Sequence, residues 1–248
     1  MRYFKIIFMI FIIIFISSHS FAIDFSGTNL SGINISPTRS KLLPLGASIT
    51  KGNWDEGEET ENAFGYRDHL QDEVGINTYT FVGSYSLPAS DTVYQVKHSG
   101  VGGQRTDQIL ARLSDELDTW MPAPNDKNSC VLLHAGTNDI SAHIATATIV
   151  DHIEDIIDMI DTHDSNIKII VALIIPRYDD HDDETTDYNT ALNTMLLTYQ
   201  SLKSNLYIVD MNTAFKDNPD WIVDYMYDIV HPKDTGYNIM ALEWAKFL

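Results

Sequence analysis

The stretch Lys41-Leu42-Leu43-Pro44-Leu45-Gly46-Ala47-Ser48-Ile49-Thr50 begins as a short apolar run and changes at Gly46 into small and hydroxylated residues. A run of that length reads as a buried strand, and the small residues after it read as a strand-to-helix turn that presents Ser48. The same alternation recurs along the chain. Strands are expected at Lys41–Leu45, Thr78–Val82, Cys130–His134, Lys168–Ile174 and Leu206–Asp210, and helices at Tyr66–Glu73, Asp107–Leu117, Thr148–Asp161, Tyr188–Ser201 and Tyr237–Phe247. The third helix is the clearest, because Ile149, Ile153, Ile156, Ile157 and Ile160 recur at helical spacing. Asp151, Glu154, Asp155 and Asp158 take its opposite, solvated face. Strands alternating with helices predict an α/β chain, a three-layer α/β/α sandwich around a five-stranded parallel sheet.

Within the 248 residues, Met1–Ala22 reads as a signal peptide. Arg2 and Lys5 precede an Ile/Phe run, and Ser20-Phe21-Ala22 offers small residues for cleavage, so that a single domain, 23–248, follows. A retained anchor is the counter-reading, but Ile6–Ile16 falls short of the ~20 residues that span a bilayer. Secretion or a periplasmic location is therefore expected, without stable membrane association after cleavage. Loss of the segment takes the formal charge from −19 to −21, because Arg2 and Lys5 leave with no acid. Such a surface excludes nucleic acid and anionic lipid as natural partners. The single cysteine, Cys130, allows no internal disulfide, and its place in an apolar strand reads as inert packing. There is no internal repeat and no low-complexity linker.

Two dense acidic runs stand out, Asp179-Asp180-His181-Asp182-Asp183-Glu184 and Trp54-Asp55-Glu56-Gly57-Glu58-Glu59. The first follows Pro176 and reads as a loop, solvated or calcium-holding, although it lacks the glycine turn and ligand spacing of a known calcium loop. The second follows Ser48 closely, either at the mouth of a site or simply on the surface.

Chemistry is suggested by residues far apart in sequence. A serine hydroxyl is a poor nucleophile at neutral pH until an imidazole takes its proton and a carboxylate fixes that imidazole. Asp228 lies three residues before His231, so one short loop carries both. In an open parallel sheet ligands bind beyond the carboxyl ends of the strands. Ser48, the Gly100–Gly103 segment, Gly136-Thr137-Asn138-Asp139 and the Asp228–His231 loop are all expected at that edge. Each residue alone has an ordinary reading as a turn, a cap or a loop histidine. His98, His134 and His181 are read as structural.

With these four blocks in order, the chain resembles the SGNH hydrolases, also called GDSL esterases and lipases, from about Lys41 to the C-terminus. The resemblance implies a flavodoxin-like fold with Ser48 as nucleophile, His231 as general base and then acid, and Asp228 orienting the imidazole. It further implies an oxyanion hole made by the N–H groups of Ser48 and Gly103 and the side-chain amide of Asn138, with Asp139 holding the loop that presents Asn138. Fixed donors of this kind stabilise a developing negative charge. The chain departs from the family where Ala47 replaces the usual Asp, which removes a carboxylate from the nucleophile turn. The glycine block offers Gly100, Gly102 and Gly103; Gly103 is preferred because Thr106-Asp107-Gln108-Ile109 after it looks like the helix start of related esterases.

Leu43-Pro44-Leu45-Gly46, Gly65-Tyr66-Arg67, Phe81-Val82-Gly83-Ser84 and His231-Pro232 followed by Gly236-Tyr237 look like carbohydrate esterase family 3. That resemblance implies an esterase removing acetyl groups from polysaccharide or oligosaccharide, in the manner of an acetyl xylan esterase, without metal or cofactor. Two alternatives remain: a lipolytic esterase, thioesterase or lysophospholipase on the same fold, and a non-catalytic carbohydrate-binding protein on this scaffold.

Overall fold

In a computed structural model, which describes residues 39–52 and 64–248, strand-length apolar runs form one sheet whose two faces are both covered by helices. The strands are β1 Ser40–Gly46, β2 Tyr79–Phe81, β3 Tyr85–Ser86, β4 Lys97–Gly100, β5 Cys130–His134, β6 Lys168–Leu173 and β7 Leu206–Asp210. Their order is β3-β4-β1-β5-β6-β7, with β2 also on β1, and every pairing except β3 with β4 is parallel. The sheet therefore has seven strands where five were expected. The two unforeseen ones, β3 and β4, are short and carry polar residues such as His98 and Ser99, so no apolar run announces them.

The period of two along each strand makes the layers. Leu43, Leu45, Val131, Leu133, Ile169 and Val171 face one core, while Leu42, Cys130, Leu132, Ile170 and Ala172 face the other. On the first face lie α3 (Thr106–Trp120), α5 (Thr146–His163) and α6 (Asp182–Gln200). On the second lie α2 (Arg67–Val74), α7 (Met211–Lys216) and α9 (Asp234–Ala245). Short helices α1 (Ser48–Lys51), α4 (Thr137–Ser141) and α8 (Trp221–Tyr225) complete the set among the described residues. The isoleucine stripe of α5 is fully buried, as its spacing required. Cys130 is buried in the central sheet, and burial pushes its thiol pKa up.

One edge of β1 is shared. β2 pairs with it at Ser40–Leu42 and β4 at Leu45 and Gly46. The carbonyls of Leu42 and Gly46 accept the N–H groups of Val82 and Val101, so even-numbered residues of β1 face this edge. Pro44, with no N–H to donate, falls at the junction between β2 and β4, where a central strand tolerates it. The outer side of β2 is closed by a side chain: Gln95 Oε1 accepts the Phe81 N–H at 3.0 Å, and its Nε2 donates to the carbonyls of Tyr79 and Ile76. Gln71 in turn holds the Gln95 backbone through both polar groups of its amide.

Only the first half of the acidic run, Asp179 to His181, lies in the expected loop. Asp182, Asp183 and Glu184 form the first turn of α6, which starts six residues before the predicted Tyr188. Carboxylates there complement the partial positive charge of a helix N-terminus, so the second half of the run initiates the helix. Its acids are also engaged separately: Asp179 with Arg177, Asp182 with Lys216, and Glu184 with His181. The signal-peptide segment Met1–Ala22 and the acidic run 54–59 lie outside the described residues. No described helix is long and apolar enough to cross a membrane.

His98 and His134 are buried, and burial disfavours their charged forms. Burial, followed by the nearby positive charge of Arg67, Lys51, Lys97 and Arg112, takes the His98 pKa down to about 2; burial takes that of His134 down to about 4. Each is instead an acceptor, His98 Nδ1 for the Gly100 N–H and His134 Nε2 for the Ile175 N–H. In the unfolded chain both protonate near pH ~6.5. Stability is therefore fully present above that value and falls with acidification, by roughly 1 kcal/mol per pH unit for each histidine until its folded pKa is reached. Urea midpoints measured between pH 7 and 4.5 should decline accordingly, and more shallowly in a His134→Gln variant; a flat profile would contradict this.

Candidate active site

The sheet order makes the site's location a matter of topology. β1 runs between β2 and β4 on one side and β5 on the other, so the chain leaves β1 and β5 toward opposite layers and opens a crevice at their carboxyl ends. β1 delivers Ser48 there and β5 delivers Asn138. Register keeps the two strand ends level, with Leu42 opposite Cys130 and Gly46 opposite His134.

Ser48 is the first residue of α1, and its Oγ lies 2.9 Å from His231 Nε2. Both are buried, with 7% and 8% of their surface exposed. His231 Nδ1 is held by Asp228, at 2.8 Å from Oδ2 and 3.0 Å from Oδ1. The same carboxylate accepts the backbone N–H groups of Val230 and His231, which wraps the loop around it. Burial raises the Asp228 pKa, but these hydrogen bonds outweigh it and the net shift is downward, so the group stays ionised. Burial lowers the His231 pKa more than Asp228 restores it, which leaves a neutral imidazole near pH 7. Asp228 can only accept, so the Nδ1 proton points to it and Nε2 presents its lone pair to the serine.

Further bonds hold the histidine loop. Tyr227 N–H donates to the His231 carbonyl, Tyr178 N–H donates to that of Ile229, and Met226 bridges to Pro232. A β-carbon on Gly236 would lie 2.3 Å from the Tyr225 carbonyl, so the glycine lets α9 start directly beneath this loop.

The nucleophile turn compensates locally for Ala47. Lys51 N–H donates to the Ala47 carbonyl, Gly52 N–H to that of Ser48, and Val101 N–H to that of Gly46. Arg112 from α3 donates to the Ser99 carbonyl at 2.7 Å and to the Gly46 carbonyl at 3.4 Å. Gly100 packs so closely that a β-carbon would come within 2.5 Å of the Lys51 nitrogen. Gly103 differs: it lies in a turn at φ 77° with open space around it, a left-handed conformation that glycine adopts freely. Of the three glycines in the block, Gly100 meets a packing need and Gly103 a conformational one.

Asn138 lies in the first turn of α4, entered through Gly136 at φ 123°, where a β-carbon would strike the Tyr188 ring. The Asn138 Nδ2 donates to the Gln104 carbonyl at 2.8 Å, leaving the second amide hydrogen for another acceptor. Gln104 is itself held by Arg112, whose Nε donates to its side-chain oxygen. Asp139 is buried, and its carboxylate accepts the Thr106 N–H at 3.0 Å and the Thr106 Oγ1 hydroxyl at 2.6 Å. It thereby fastens α4 to the start of α3, next to the Gly103–Gln104 turn. Burial raises the Asp139 pKa despite these bonds.

Ser48, His231 and Asp228 are thus in direct contact, and Asn138 and the Gly103 turn are joined through Gln104. Sequence reasoning missed Arg112 and Gln104, whose contacts with Gly46 and Asn138 join segments far apart in the chain; only the charge of Arg112 on the inner side of an amphipathic helix hinted at it. His181 is not without an acid: its Nδ1 pairs with Glu184 at 2.6 Å, across one turn.

Known proteins share the family and the fold of this chain. A "Multidomain esterase" of Ruminococcus flavefaciens is 24% identical over 230 residues, and the match takes in 83% of this chain but only 28% of that protein's length. Two solved structures superpose closely. A carbohydrate esterase family 3 protein from Talaromyces cellulolyticus gives a TM-score of 0.67 at 21% identity, covering 84% of this chain and 95% of that one. A family 3 carbohydrate esterase of Clostridium thermocellum gives 0.64 at 23%, covering 84% and 94%. The model of the GDSL-like lipase/acylhydrolase family matches residues 45–239, which span all four blocks, and the chain belongs to that family.

Proposed function

We propose that the protein is an exported serine ester hydrolase that removes acetyl groups from carbohydrate. The observation that carries this reading is the 2.9 Å approach of Ser48 Oγ to a His231 ring whose other nitrogen is fixed by Asp228. Ser48 Oγ attacks the acetyl carbonyl carbon as its proton passes to His231 Nε2. The carbonyl oxygen becomes an oxyanion, received by the N–H groups of Ser48 and Gly103 and the free hydrogen of the Asn138 amide. His231 then returns the proton to the departing sugar oxygen. Water attacks the acetyl-serine with the same base, and acetate leaves. Asp228 steadies the imidazolium at each transfer without taking the proton.

The carbohydrate assignment draws on the names of the similar structures and on an acidic surface that does not favour anionic lipid. Export rests on the Met1–Ala22 pattern, so a secreted or periplasmic form beginning near Ile23 is expected on N-terminal sequencing. A second reading, an esterase for longer acyl chains, is favoured by Tyr178, Tyr227 and Ile229, which are exposed around the histidine loop. Rates on acetyl and decanoyl nitrophenyl esters separate the two, with the acetyl ester expected to be faster.

Ser48→Ala should lower kcat/KM for acetate release from acetylated xylan by at least about 10⁴-fold, and Asn138→Ala by about 10²–10³-fold. Unchanged activity in Ser48→Ala would overturn the Ser48 mechanism, and a wild type inert on every ester would leave the non-catalytic binding reading. The pH–rate profile should rise to a plateau with its midpoint below the ordinary histidine value of 6.5, because burial holds His231 neutral.

A further inference from the structure

On the same edge of the sheet, outside the serine site, two imidazoles and a carboxylate converge. His143 follows α4, His181 immediately precedes α6, and Glu184 lies in the first turn of α6. One ligand atom from each lies within 4.8 Å of the others. The His181–Glu184 contact, 2.6 Å from Nδ1 to Oε2, is an ordinary hydrogen bond across one turn. The third member has no such local explanation. His143 approaches the ring of His181 to 5.1 Å between centroids, from a segment almost forty residues earlier. Among the described residues, His143 is the only one besides glycine at positive φ, 55°. Residues with a β-carbon adopt that conformation uncommonly. It is fixed by bonds on both sides, His143 N–H to the Ile140 carbonyl and Ile144 N–H to that of Asp139.

We propose that His143, His181 and Glu184 form a binding site for a divalent transition-metal ion of the zinc class. Two neutral imidazole nitrogens and one carboxylate oxygen are the donor set such ions prefer, whereas calcium and magnesium take mostly oxygen. Bonds of about 2.1 Å to a tetrahedral ion hold ligand atoms about 3.4 Å apart, a closure that exposed side chains reach by rotation. His143 and Glu184 are exposed and His181 is half-buried, so an ion has open access and water completes the shell. The net charge of −19 raises the local concentration of cations. Bound there, the ion ties the turn five residues beyond Asn138 to the start of α6. Arg177 already links these segments more weakly, donating to Ser141 Oγ while pairing with Asp179.

The test is calorimetric titration of chelator-treated full-length protein with zinc chloride, alongside thermal melting. Wild type should bind one equivalent and melt at higher temperature with zinc. His143→Gly, which suits the left-handed backbone, and Glu184→Gln should each weaken binding at least about tenfold and lose the shift in melting, with unchanged circular dichroism without metal. His231→Ala should bind zinc as wild type does, which separates this site from the serine site. Absence of binding, affinity unaltered by His143→Gly and Glu184→Gln, or loss of binding in His231→Ala alone would each overturn the proposal.

Discussion

The parallel pairing of β1 with β5 sets where the turns carrying Ser48 and Asn138 lie. Because Leu42 stands opposite Cys130 and Gly46 opposite His134, the two strands end at the same level. The turn carrying Ser48 and the turn carrying Asn138 therefore leave the sheet side by side. A slip of one residue would turn every β1 side chain to the wrong face, exchanging Leu43 and Leu45 for Leu42 and Pro44 in the first core. Hydrophobic burial on both faces fixes the register, and the register fixes the site. Catalytic geometry is inherited from packing in this sense.

Polar joints then refine what the sheet places. Asp139 binds Thr106, Arg112 binds Ser99 and Gln104, and Gln104 binds Asn138, so three loops from separate crossovers are tied into one rim. Donors aimed at a reacting oxygen help only if they need no rearrangement when charge develops. The proposed donors would meet that condition, because Asp139, Arg112 and Gln104 already fix the loops that carry them. With no carboxylate at Ala47, backbone hydrogen bonds and Arg112 hold the turn that carries Ser48.

Much of this was legible in the sequence, for physical reasons that also mark the boundary. Apolar runs mark parallel strands, so the buried Cys130–His134 and the edge strand Leu206–Asp210 could both be read residue for residue. Strand β4, Lys97–Gly100, has no such run: Lys97, His98 and Ser99 are all polar, and His98 accepts the Gly100 N–H. The start of α6 was misplaced because acids look like solvent loops until a helix N-terminus is known to be there. The four motif blocks were visible because they occur together and in order; each alone has an ordinary reading. Gln95, Gln104 and Arg112 were invisible, since long polar side chains choose partners by fold and not by neighbours in sequence.

Gln95 has a consequence beyond the site. Its amide satisfies the outer rim of β2 where an additional strand would otherwise have docked. An open ladder is a template for self-association, and proteins usually blunt it with charge, proline or a bulge. Here one glutamine, braced by Gln71, does so from within the fold, leaving no sticky border there for a neighbouring copy to extend into a fibril.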